Sequence, residues 1–151
     1  INLGIRGKII NFLTLSNEGY KSLNQAPTPL SGRGEGKIHH IKTEYLKKEL
    51  LEAGYSVESN FSLKNKDVDL VIKNSDGSCI AIEISVSTPA SHEAEQALND
   101  LEAGFTQVIV LADSKKISLI KGFLQENNAH QVIVHPYTIN HKKFLKGGDA
   151  L

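Results

Sequence analysis

The chain has 151 residues and a mass of 16.5 kDa, the size of one compact domain with a short appendage, which leaves no room for two full cores. Hydrophobic residues make up 40% and charged residues 23%, which excludes a disordered or fibrous class, and no apolar run approaches the roughly 20 residues that a bilayer span needs. The 17 basic and 17 acidic residues balance, which argues against a surface uniformly coated for nonspecific DNA binding. No membrane partner and a cytoplasmic location are therefore expected, and the absence of Met with a start at Ile1 suggests a processed or excised segment of a longer protein. The single Cys79 excludes an internal disulfide framework and a multi-cysteine zinc site, leaving a hard cation on carboxylate or His ligands as the metal to expect.

In chain order, residues 1–23 read as a short strand, Lys8 to Leu15, and a turn at Ser16-Asn17-Glu18-Gly19. Residues 24–37 hold Pro27, Pro29, Gly32, Gly34 and Gly36, the densest breaker cluster of the chain, and read as a linker. The main domain is expected over 38–140. Ile38, Ile41, Tyr45, Leu46, Leu50 and Ala53 recur at helical spacing up to Gly54, so residues 38–53 form a helix. Three β-rich runs follow at Ser56 to Leu63, Asp67 to Lys73 and Cys79 to Ser87, the last two joined by the hairpin signal Asn74-Ser75-Asp76-Gly77-Ser78. Val68, Leu70, Ile72, Ile80, Ile82, Ile84 and Val86 hold even positions, so one face of the hairpin is continuously apolar. A second helix opening at Thr88-Pro89, with Ala94, Ala97, Leu98 and Leu101 before Gly104, is expected to cover that face. Gln107 to Ala112 reads as a buried strand, and Ser114 as the cap of a third helix. Gln131 to Tyr137 reads as a last strand, and 141–151 as a basic tail with Lys142, Lys143 and Lys146.

Charge is unevenly spread. Residues 67–103 carry one Lys and eight Asp or Glu, while residues 1–66 carry ten basic and six acidic side chains and residues 104–151 six and three. An acidic centre between basic flanks fits metal-binding carboxylates set in a phosphate-binding surface, although scattered solvated charge produces the same counts. A three-residue loop Ser75-Asp76-Gly77 with Gly77 left-handed pairs Asn74 with Ser78 and sets Asp69 opposite Glu83 and Asp67 opposite Ser85. Directly opposed carboxylates, with Cβ atoms about 5 Å apart, destabilise a sheet unless a cation or proton lies between them. A two-residue loop would instead set Asp69 opposite Ile84 and break the apolar face, so the first register is expected.

The order α-β-β-β-α-β, with Val68-Asp69-Leu70-Val71 in the second strand and Ile82-Glu83-Ile84 in the third, resembles the core of the PD-(D/E)xK nuclease superfamily over about residues 36–112. The helix from Ile38 to Ala53 followed by Gly54-Tyr55-Ser56-Val57 is similar in particular to archaeal Holliday-junction resolvases and related restriction endonucleases. The resemblance implies a restriction-endonuclease-like α/β fold with a mixed central sheet flanked by helices, and hydrolysis of DNA phosphodiesters with Mg²⁺ or Mn²⁺ held by Asp69 and Glu83. The family's lysine, two residues beyond the Glu, falls on Ser85, which carries no charge to stabilise the phosphorus centre. Lys73 shares a face with Asp69 but lies four residues along the strand, about 13 Å away. An acidic residue on the first helix of related nucleases points to Glu44, or to His40 one turn before it; ordinary helix surface is the commoner explanation of His39, His40 and Glu44. Gln96 stands on the second helix where some relatives carry a glutamine near the metal, but Asp100 replaces the tyrosine that follows it there.

Phe12-Leu13-Thr14-Leu15-Ser16-Asn17-Glu18-Gly19-Tyr20 is similar to the last strand and turn of winged-helix domains, an arrangement resembling accessory domains of mobile-element and conjugative proteins. Arg33, Lys37, His40, Lys42 and Lys48 are the expected nucleic-acid contacts, on double-stranded or branched DNA, and enzymes of this type often act as homodimers. With the lysine replaced by Ser85, the alternative is a catalytically inactive DNA-binding or protein-docking module of a mobile-element or defence protein. Gly32-Arg33-Gly34-Glu35-Gly36-Lys37 lacks the spacing of a phosphate-binding loop, and His130, His135 and His141 are too scattered for a zinc site.

Overall fold

The computed structural model describes residues 36–145. The winged-helix-like segment, most of the linker with Arg33, and the end of the basic tail lie outside the described residues. Within them the elements run α1 (Lys37–Glu52), β1 (Ser56–Leu63), β2 (Lys66–Lys73), β3 (Cys79–Ile84), α2 (Ala90–Ala103), β4 (Gln107–Ala112), α3 (Ser114–Gln125) and β5 (Val132–Pro136), followed by a 3-10 turn at His141–Lys143. The strands lie side by side in sequence order, antiparallel from β1 to β3 and parallel from β3 to β5. The result is a five-stranded mixed α/β sheet with helices on both faces, in the αβββαβ order expected from the sequence.

The hairpin forms as its turn chemistry dictates. Gly77 has φ +83°, its N–H donates to Asn74 O at 3.0 Å, and Asn74 N–H donates to Ser78 O at 2.9 Å. The Asp76 carboxylate accepts from Ser78 N–H at 2.8 Å, and hydrogen bonding from the Ser78 side chain first and this N–H second holds its pKa below the ordinary value. The ladder that follows pairs Lys73 with Cys79 and Leu70 with Ile82, the register expected from a three-residue loop.

Both sheet faces are buried, as strands of a parallel segment require, and the helices divide them differently from the sequence expectation. Leu70, Ile72, Ile82, Ile84, Ile109 and Leu111 lie under α1, against Leu46 and Leu50, not under α2. The second helix instead covers Val71, Ala81, Val108 and Val110, to which it brings Ala94 and Ala97; α3 adds Ile120 and Leu124 on this side. The small residues of that face let the two crossover helices come close to the sheet, while the long side chains of the other face fill the space beneath one helix.

Three further differences have local causes. Val68 packs with the Val71 face and not with Leu70 and Ile72, so the alternation breaks at Asp69. Across the sheet Asn60 has φ +51°, and the β1–β2 ladder skips the Asn60–Asp69 position, so both strands turn over at this level. Asp113, not Ser114, caps α3: it is extended and its carboxylate accepts from Lys115 N–H at 2.9 Å. The packed domain also runs past residue 140 into the expected tail, because Phe144 and Leu145 bury themselves beside α1.

Candidate active site

The break at Asp69 places its carboxylate between three elements. With the β2–β3 ladder ended at Leu70–Ile82, Asp69 Oδ2 accepts the Ile84 N–H at 2.8 Å in place of a strand carbonyl. The same oxygen lies 2.9 Å from His39 Nε2, on the first turn of α1. Thr43 Oγ1 donates to His39 O one turn on, and Thr43, Leu46 and Leu50 form the buried stripe of α1 that aims His39 at the sheet. His39 was missed as a site residue by the sequence reading, which favoured Ile38 on the inner face. Ile38 is 44% exposed, and phasing from Thr43, Leu46 and Leu50 is the signal that points to His39.

Glu83 lies beside Asp69 on β3 and is 5% exposed. Its Oε1 has no hydrogen-bond partner. Burial pushes its pKa well above the ordinary carboxylate value, and the negative charges of Asp69, Asp100 and Glu93 push the same way, as does a hydrogen bond shared with Asp69. Asp100 and Glu93 are themselves buried, on the inner side of α2. Among the described residues no cation lowers the pKa of Glu83 itself, while Asp69 has His39 as its partner. Asp100 also lines an open polar cleft of about 510 Å³, together with Lys66, Asp67, Ser87, Thr88 and Gln96; Asp69 and Glu83 are not part of its lining.

The other expected site residues divide. Ser85 continues beyond β3, donating its N–H to Leu111 O at 2.9 Å, and is buried. Asp67 does not reach it, because the β2–β3 pairing has already ended; Asp67 accepts instead from Ser62 Oγ on β1. Lys73 is held toward the hairpin end by Glu58 at 2.7 Å and by the Phe61 ring at 4.7 Å, away from Asp69. Glu44 is exposed, so the first helix meets Asp69 through His39 and not through Glu44 or His40. Lys37 is exposed at the start of α1, and Lys48 is exposed with Nζ 3.7 Å from Glu52. Lys42 lies half-buried with its ammonium 4.6 Å above the Tyr137 ring, whose hydroxyl donates to Lys42 O. A second residue missed from sequence is Lys116 of α3, whose Nζ reaches Ser85 Oγ at 3.4 Å and the carbonyls of Val86 and Thr88 at 2.9 Å each.

Among the described residues no group of three or more His, Cys, Asp or Glu side chains is arranged to hold a metal ion. Asp69 and Glu83 are two neighbouring carboxylates that could hold a hard cation, a set that suits an ion keeping most of its ligands as water and phosphate oxygens. The partnerless, buried Glu83 Oε1 is the atom such a cation would satisfy. No helix among the described residues is long and apolar enough to cross a membrane.

No family model matches this sequence, and no curated protein matches it. Among solved structures, a repair endonuclease from Pyrococcus abyssi is similar at a TM-score of 0.44 and 11% identity, over 70% of this chain and 48% of that one. The chain thus spans about half the length of that protein.

Proposed function

We propose that this domain is a PD-(D/E)xK-like nuclease that hydrolyses DNA phosphodiesters with Mg²⁺ or Mn²⁺ held by Asp69 and Glu83. The observation that carries this reading is Glu83: a buried carboxylate with an unpartnered oxygen, crowded by three other carboxylates and with no cation beside it among the described residues. Such a group either holds a proton or waits for a metal, and its position beside Asp69, a second carboxylate, favours the metal. When bound, the ion supplies positive charge at the scissile phosphate and acidifies the attacking water. Asp69 is oriented for this by His39 and the Ile84 N–H, so its carboxylate is set before any ligand arrives. The exposed Lys37 and Lys48 on α1 would steady the phosphate backbone nearby.

The test is metal-dependent nicking of supercoiled and branched DNA, with Asp69→Ala and Glu83→Ala beside the wild type. Activity present in the wild type and lost in both variants supports the reading; activity unchanged in either rejects it. His39→Ala is expected to weaken Mn²⁺ binding by roughly 10-fold, measured by calorimetry, because the Asp69 carboxylate loses the partner that orients it. The buried, uncharged Ser85 favours a second reading, a domain of the same fold that binds DNA or a protein partner without cutting. Gel-shift binding without nicking would select it.

A further inference from the structure

Ser85 stands where the proposed chemistry calls for a cation, and its buried hydroxyl carries no charge. A cation nevertheless stands against it. Lys116, from the first turn of α3, puts its ammonium 3.4 Å from Ser85 Oγ and 2.9 Å from the carbonyl oxygens of both Val86 and Thr88. All three acceptors belong to the segment joining β3 to α2, which begins two residues beyond Glu83. Hydroxyl and carbonyl groups hold an ammonium without neutralising it, so the net charge remains for an anion. Neither Lys116 nor Lys42 forms an ion pair with a carboxylate among the described residues. Burial pushes the pKa of Lys42 down, with Asp113 opposing and Lys116 reinforcing, so the two lysines stand close enough to repel. Two neighbouring ammonium groups, neither ion-paired within 4 Å of a described carboxylate and one of them held against the segment that follows Glu83, form a charge arrangement that an anion would relieve.

We propose that Lys116 supplies from α3 the positive charge that Ser85 cannot, exchanging its hydroxyl and carbonyl partners for a phosphate oxygen of a nucleic-acid backbone bound beside Asp69 and Glu83. This rests on the nuclease reading of the same site. Lys116 makes and breaks no covalent bond; it contacts the phosphate and stabilises the charge that builds there.

The experiment compares wild type, Lys116→Gln and the double variant Ser85→Lys with Lys116→Gln. Glutamine keeps N–H donors without charge, and the double variant returns a lysine to the strand. DNA affinity is measured without metal across a salt series, and single-turnover nicking with Mn²⁺. The slope of log affinity against log salt is expected to shrink by about 0.9 in Lys116→Gln, the loss of one phosphate contact. Nicking is expected to fall by roughly 10²-fold, and the double variant to recover both. A folded Lys116→Gln protein with unchanged slope and rate overturns the inference, even when Asp69→Ala is inactive and the nuclease reading stands. A lower melting temperature with an unchanged slope overturns it as well, because it marks a purely structural tie. Should Lys116→Gln not fold, a folded double variant lacking the wild-type slope has the same force. Wild-type protein that binds DNA with the Lys116-dependent slope but does not nick supports the phosphate contact and sinks the nuclease reading. No DNA binding by the wild type overturns both.

Discussion

Replacing Glu83 by Gln is expected to make the metal-free protein more stable and the proposed nuclease inactive. The side chain is buried among Asp69, Asp100 and Glu93, and its carboxyl pKa is pushed up by burial first and by those charges second. An amide of nearly the same shape removes the charge and can donate to a neighbouring carboxylate. At pH 8 the gain should be roughly 1–3 kcal/mol, the usual cost of a buried polar group left unsatisfied. The wild type should also show a pH dependence of known sign. Its folded state holds the Glu83 proton above the ordinary value of 4.5, where the unfolded chain has released it. This contribution to stability is therefore complete below that ordinary value and is lost as pH rises through the raised, folded one. Urea unfolding in chelator between pH 5 and 9 should show the decline in the wild type and a flatter profile in Glu83→Gln; a wild-type stability that climbs with pH over this range would contradict the argument. Mn²⁺ affinity should run the other way, rising with pH, because the ion requires the carboxylate deprotonated. Nicking should fall by about 10³-fold in the variant.

The second large effect lies outside the site. Phe144→Ala should cost about 3–5 kcal/mol, the range for emptying a fully buried aromatic position. Phe144 is 2% exposed and shares the core beneath α1 with Leu46, Leu50, Ile84 and Leu111. Domains of this size are stable by only about 5–15 kcal/mol in total, so one substitution would remove a large share. Chemical denaturation measures it directly, and a loss below about 1 kcal/mol would mean that the segment after residue 140 contributes little to the core. The same change should loosen the packing of α1, the helix that brings His39 to Asp69.

Much of this was legible in the sequence because it depends on neighbours along the chain. Gly77 permits the left-handed loop residue, the apolar alternation of β2 and β3 selects one register, and together they pair the strands as far as Leu70 and Ile82, one residue short of Asp69 and Glu83. Periodicity and breaker residues likewise placed the eight main helices and strands of the domain in order. Other features depend on residues far apart in sequence. His39 and Asp69 are separated by 30 positions, and Lys116 and Ser85 by 31. No local pattern marks either pair, because each is made by the docking of a helix onto a strand end.

Element order, the hairpin and its register follow from the chain's local chemistry, as consequences of backbone preference and period-two patterning. The tertiary structure alone decided which helix covers which face, since both faces of the sheet are apolar and side-chain volume chooses between them. It also decided the turn of the strands at Asn60 and Asp69, which swings Asp69 toward His39, and the burial that gives Glu83 its unusual proton affinity. Electrostatic character depends on the groups and solvent around a residue in space, and those are assembled only when the helices close over the sheet.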